Sequence, residues 1–186
     1  MATPEQVEFL RRACGAARLA HHVWSEYAAC EAALETAWGT SRLYLQGNNV
    51  FGEKQHAKPV FLTVTLPTRE YRYGVGWITV QAPFIWFPSP IEAFEMRMQT
   101  LRRLAVEKNS AGELEYPEYA AALAATSGEA FVTEVSKRWS TDPERGAKVL
   151  EIFNAHMDVF AQSANQEEGK WAGNRYRFQA ATRRRQ

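Results

Sequence analysis

The chain has 186 residues, 46% of them hydrophobic, and a formal net charge of +1. That is enough apolar material for one sizeable core, so one domain is the expectation, divided into lobes around a cleft. The charge balance excludes a global field for nucleic acid or an anionic membrane, and no stretch is long and apolar enough to span a bilayer. The amino terminus, MATPEQVEFLRR, carries acids and no apolar run. It lacks the pattern of a secretory signal, so the chain is expected to be synthesised in the cytoplasm without a signal peptide.

Thr3, Pro4 and Gln6 make a helix start, with Thr3 as N-cap, Pro4 in the first turn and Gln6 closing a capping box. This helix is expected to run to about His22, weakened in its middle by Gly15. Ser25 can cap the next helix, with Tyr27, Cys30, Leu34 and Ala37 as its stripe. Glu35 falls on the neighbouring face with Ala28 and Ala32. Cys14 and Cys30, the only cysteines, make neither a disulfide framework nor a zinc set and are expected as buried free thiols. Gly39 stops the second helix, and Thr40 or Ser41 can cap a short one through Leu45.

QGNNVFG is loop chemistry, after which the period changes. PVFLTVTL and GVGWITVQA are β-branched, aromatic and alternating, and predict two strands. PTREYRYG joins or extends them as a hairpin, with room for a third short strand. Ser89, Pro90, Ile91 and Glu92 form another capping box, opening a helix with core face Ile91, Phe94, Met98, Leu101 and Ala105. PEYAAALAAT and GEAFVTEVSKRW predict two further helices parted at Ser127-Gly128. STDPERGAKVLEIFNAHMDVF predicts a long last one, with Thr141 or Asp142 as cap and Pro143 in its first turn. The fold class is α+β and mainly α: a helical lobe and a small β-hairpin lobe at about 55–85 flanking a cleft. The domain is expected over 1–170. A tail over 171–186 follows, with five arginines and no acids; it reads as a solvated terminus or as a contact for anionic polymers.

One residue is out of place for stability alone. Glu35 lies in the last turn of its helix, where unpaired carbonyls favour a cation. One reading is an exposed glutamate that loses a few tenths of a kcal/mol, about the lower end of such effects. The other is a general acid whose proton is retained by burial against Trp38 and by the negative helix end.

ALETAWGTSRLYLQGNNVFGEK resembles the signature of glycoside hydrolase family 73, the bacterial β-N-acetylglucosaminidases of peptidoglycan that include the flagellar rod-cap hydrolase and many autolysins. The family motif runs as an acid in LESGWG, a serine, then an NNLFG loop. Here Glu35, Trp38, Gly39, Ser41 and Asn48 to Gly52 stand in those places. VTLPTREY resembles the family's TTTEY strand, APFIWFPSPIEAF its AxFRxYxSxxEA, and WSTDPERGAKVL its YATDPxYAxKL. The similarity covers about residues 25–155 in order.

The resemblance implies a lysozyme-like fold cleaving N-acetylglucosaminyl-β-1,4-N-acetylmuramic acid bonds, with Glu35 as general acid. Glu70 maps to the β-lobe carboxylate, and Asn49, Phe51, Tyr71 and Trp139 to the substrate-binding side. Paired carboxylates are what two-step or water-mediated glycoside cleavage requires. Trp139 stands where the family has a tyrosine, and its only polar atom is a donor; Tyr71 or Tyr73 is a substitute hydroxyl. Glu53 is a rival second acid, and Trp77 and Trp86 are candidate sugar-stacking rings. No cofactor or metal is expected, since the four histidines lack ligand spacing.

The expected partners are peptidoglycan glycan strands, with no nucleic acid and no stable membrane insertion, and the chain is expected as a monomer. Without its own signal, such an enzyme would reach the cell wall by lysis-linked release or by secretion. A phage-type endolysin and an antibacterial effector with a cognate immunity protein both fit. A lytic transglycosylase and a non-catalytic glycan-binding module are the alternatives.

Overall fold

The computed structural model describes residues 2–55, 61–72, 74–140 and 142–161, without the side chains of residues 69–72 and 77. Tyr73, Thr141 and the basic tail over 171–186 lie outside the described residues, and Glu70 and Tyr71 are described in backbone only. In chain order come α1 (Pro4–Leu19), α2 (Ser25–Glu35), α3 (Arg42–Gly47), β1 (Thr63–Arg72) and β2 (Gly76–Ile85). They are followed by α4 (Pro90–Leu104), α5 (Pro117–Leu123), α6 (Gly128–Trp139) and α7 (Arg145–Ala155). Among the described residues no helix is long and apolar enough to cross a membrane.

The helix starts are chemical. Thr3 Oγ1 accepts from Gln6 N–H at 3.3 Å while Gln6 Oε1 accepts from Thr3 N–H at 3.0 Å, which is the expected capping box. Ser89 and Glu92 repeat it at α4. Ser41 accepts from Tyr44 N–H at 3.3 Å and Ser127 from Ala130 N–H at 3.1 Å. Ser25 departs from expectation. It is the first residue of α2 and its hydroxyl donates to the His22 carbonyl, while Trp24 holds the cap position without a side-chain bond. α1 stops at Leu19 because His21 turns into the left-handed region at φ 52°. α7 begins only at Arg145, after a turn in which Asp142 accepts from Glu144 N–H at 2.9 Å.

α2 is the axis of the helical lobe, packed against α1, α6 and α7. The expected stripe is not what it shows. Ala28, Ala29, Cys30, Glu31, Ala32 and Ala33 are all buried, so the helix is enclosed on nearly every side. Its alanines let the neighbouring helices approach closely. Around it Leu10, Ala17, Phe94, Leu101, Phe131, Val132, Val135 and Val149 are fully buried. Each of the larger side chains contributes about 2 kcal/mol of burial. Tyr27, Phe153 and Phe160 stack along one edge, with ring centroids 4.0 and 5.7 Å apart.

The sheet is a single antiparallel hairpin, with Val64 opposite Phe84 and Glu70 opposite Ile78. PTREYR is part of β1, so the connection expected there lies further along. Among the described residues there is no third strand, and Lys54 makes an isolated bridge to Phe84. Leu66, Ala82 and Phe84 form a small second cluster against Leu43 of α3 and Val64. Asn48 Nδ2 donates to the Phe87 and Pro88 carbonyls, and Phe87 N–H donates to Gly47 O at 2.8 Å. These bonds tie the hairpin to the helical lobe.

His22 is buried against Phe94 and Phe131, with ring centroids 6.2 and 5.7 Å away. Burial, reinforced by the Arg97 charge, pushes its pKa from 6.5 down to about 3. Between those values the unfolded chain binds a proton that the folded chain refuses, so this residue's share of stability is present above pH 6.5 and lost as pH falls. The slope is about 1.4 kcal/mol per pH unit at most. Urea unfolding of His22→Phe should therefore show a stability advantage over the wild type that widens from pH 7 to pH 5. A constant difference would contradict the assignment.

Candidate active site

Glu35 is the last residue of α2, and its side chain is 28% exposed. The chain then makes a tight reversal through Ala37, Trp38 and Gly39, at φ 49°, 60° and 80°. Two non-glycine residues in that region are strained by about 1 kcal/mol each. Thr36 holds the turn: its buried hydroxyl donates to Ala32 O at 2.6 Å and accepts from Gly39 N–H at 2.8 Å. Gly39 is required twice over, since a Cβ there would lie 2.7 Å from the Phe9 ring. The reversal fixes where the helix ends, and so fixes Glu35.

The surroundings of Glu35 differ from the apolar shelter expected of Trp38. The Trp38 ring leans on His156, centroids 5.4 Å apart. What meets the carboxylate is Arg145, the first residue of α7. Its Nε donates to Glu35 Oε1 at 2.8 Å, and its Nη2 lies 2.8 Å from the same oxygen. Its Nη1 donates to Glu31 Oε1 and to Ser136 Oγ, both at 2.9 Å.

Glu31 sits one turn before Glu35 on the same helix face. Its Oε1 also accepts from Arg97 Nη2 at 2.6 Å, and both side chains of that pair are 0% exposed. Burial pushes the Glu31 carboxyl up, but the Arg97 and Arg145 charges outweigh it and hold it below the usual range. Glu31 is therefore an anion. The Arg97 guanidinium lies between two rings, 4.2 Å from the Phe51 centroid and 4.1 Å from that of Trp139. A chain of contacts thus runs from Phe51 and Trp139 through Arg97, Glu31 and Arg145 to Glu35. None of Glu31, Arg97, Arg145 or Ser136 stood out in the sequence. The legible signals were an arginine inside the apolar stripe of α4 and an acid one turn before Glu35.

The other candidates divide. Phe51 is buried and edges against Phe94 and Trp139. Trp139 is half-buried at the end of α6, and its edge contact to Tyr119 completes the same wall. Asn49 is buried, with Nδ2 donating to the Glu53 and Ile85 carbonyls and Oδ1 accepting from Glu53 N–H. Its amide is used to pin the loop to β2. Glu53 is half-buried in that loop. Glu70 and Tyr71 lie on β1 with their backbones opposite Ile78 and Trp77. Trp86 is half-buried just beyond β2. A groove of about 950 Å³ runs along the α6–α7 junction, lined among others by Ser136, Trp139, Ser140 and Asp142.

Comparison with known proteins places this arrangement. The family pattern described as Glucosaminidase: Mannosyl-glycoprotein endo-beta-N-acetylglucosaminidase matches residues 13–158. No curated protein sequence gives a match. Among solved structures, the chain is similar to the catalytic domain of the autolysin Auto from Listeria monocytogenes. That pair is 24% identical over 86% of this chain and 88% of the other, with a TM-score of 0.66. A C-terminally truncated glycoside hydrolase domain of FlgJ from Salmonella typhimurium is 27% identical over 82% of this chain and 98% of its own, at 0.61. A peptidoglycan hydrolase mutant from Sphingomonas sp. A1 is 21% identical over 84% and 99%, at 0.63.

The buried pair should behave unlike the surface ones. Arg97→Met leaves Glu31 with one cation, and urea unfolding should show a loss of about 3 kcal/mol or more. Arg103→Met, which breaks the exposed pair with Glu107, should be close to neutral. Equal small effects would mean that the buried network does not hold the fold.

Proposed function

The chain belongs to this glucosaminidase family of glycoside hydrolases, and from that premise we propose that it cleaves the β-1,4 bond between N-acetylglucosamine and N-acetylmuramic acid in peptidoglycan. Glu35 is the general acid and Glu70 the second carboxylate. The observation that carries this reading is the state of the Glu35 side chain. One oxygen is engaged by Arg145, the other has no partner among the described residues, and the group remains accessible. A carboxyl group anchored through one oxygen can offer the other to a glycosidic oxygen. Solved relatives described as an autolysin and as a peptidoglycan hydrolase share the fold and support the substrate class.

In this reading the proton on Glu35 Oε2 moves to the leaving oxygen as the bond from the anomeric carbon lengthens. Positive charge develops across that carbon and the ring oxygen, and a β-lobe carboxylate either stabilises it or orients the attacking water. β1 carries Glu70 four residues beyond Leu66, the residue through which the hairpin packs. Tyr71 and Trp139 meet the sugar, while Asn49 and Phe51 act from beneath by building the wall of the cleft.

The catalytic unit is a single monomeric domain over 1–170, and the protein acts as a phage-type endolysin or a secreted antibacterial effector. Either one reaches the cell wall by release or export. An effector would have an immunity protein that fills the cleft.

Assays on purified cell walls test the assignment. Glu35→Gln should lose at least about a hundredfold in release of reducing ends, as expected for a general acid, and still bind glycan. Glu70→Gln should lose much and Glu53→Gln little; the opposite pattern would move the second acid to Glu53. Mass spectrometry of the products should find hydrated glucosamine ends. Anhydro-muramic ends would mean a lytic transglycosylase, and binding without turnover a glycan-binding module.

A further inference from the structure

Arg145 opens α7 beside the end of α2. Its side chain is 2% exposed, so its charge must be balanced locally. The balance is specific. Two guanidiniums, Arg97 and Arg145, face two carboxylates: Glu31, shared by both, and Glu35, which pairs with Arg145. The hydrogen bonding is also specific: Nε donates to Glu35 Oε1, Nη1 is committed to Glu31 and Ser136, and Nη2 lies 2.8 Å from Glu35 Oε1 without a hydrogen bond among the described residues.

We infer that Arg145 is a positioning residue for glycoside cleavage: its Nε holds Glu35 Oε1 and leaves Oε2 as the oxygen that carries the proton. This rests on the reading of Glu35 as the acid. The physical reason is that a guanidinium anchored to Glu31 and Ser136 in near-complete burial presents Nε to Glu35 Oε1 at 2.8 Å, and so fixes which carboxyl oxygen is engaged. The other charged or titratable groups around this corner are Glu31 on the same helix, Arg97 on α4 and His156 at the end of α7. On α1, Arg18 is engaged by Glu26 at the opposite end of α2. Ser136 fixes the guanidinium from α6 without adding charge.

The orientation follows from bond geometry. A carboxyl group anchored through Oε1 has its other oxygen free, so the donated proton sits on Oε2. When it leaves for the glycosidic oxygen, Glu35 becomes the anion that Arg145 already complements.

Steady-state kinetics on a soluble glycan substrate test this with Arg145→Lys and Arg145→Met. The lysine variant keeps the charge but loses the Nε donor, and its kcat should fall about tenfold at unchanged KM, as expected from lost orientation. The methionine variant should lose at least as much kcat, again at unchanged KM. Full kcat in Arg145→Lys, or a loss carried by KM alone, would overturn the proposal, and the lysine variant decides the matter by itself if the methionine variant does not fold. Glu35→Gln, assayed in parallel, separates the two levels. If it retains turnover, the reading of Glu35 fails; if it is inactive while the Arg145 variants behave as wild type, only this inference fails.

Discussion

The arrangement depends on one buried carboxylate. Glu31 Oε1 accepts from two guanidiniums, Arg97 at 2.6 Å and Arg145 at 2.9 Å, and so joins α2, α4 and α7 at a single point. A lone charge at that depth would be prohibitive, and even a pair is worthwhile only when its geometry is good and its remaining donors are met. Here Ser136 and Glu35 take donors from Arg145 and two aromatic faces cover Arg97, while Arg97 Nε and Nη1 and Glu31 Oε2 have no hydrogen-bond partner among the described residues. Burial of this network requires an axis helix made of alanines, because larger side chains would hold α4 and α7 too far away for their arginines to meet α2.

The site inherits its geometry from that junction. Glu35 is one turn beyond Glu31, at the point where Thr36, two strained residues and Gly39 reverse the chain. Phe51 and Trp139 come together because each packs on Arg97. The loop that carries Phe51 is pinned to β2 by Asn49, so the same contacts that seat the aromatic wall also fix the root of the hairpin. The Asn49 amide is thereby committed to holding this loop.

Local chemistry made much of this legible. Both capping boxes, the Ser41 cap, the break at Ser127-Gly128, the hairpin strands and the core face of α4 follow from spacing over a few residues. The glucosaminidase motif could be read in the same way, because it lies in one contiguous stretch around Glu35. The axis helix was misread as amphipathic, because an alanine-rich helix enclosed on all sides has no stripe to read. The late start of α7 was hidden because Pro143, a good first-turn residue, falls in the preceding turn. The network was out of reach because its partners are 66 and 114 residues apart. Arg145, in the charged stretch DPERGAK, gives no sign that it will be buried, whereas Arg97 at least stands inside the apolar stripe of α4.

The most direct measurement of the central claim is a crystal structure of the Glu35→Gln variant with a bound peptidoglycan tetrasaccharide. The account predicts the scissile glycosidic oxygen within hydrogen-bond reach of the residue-35 amide group, with Arg145 still seated on its oxygen and on Glu31. A glycan bound with its scissile bond remote from residue 35, or an Arg145 withdrawn from the buried junction, would contradict it.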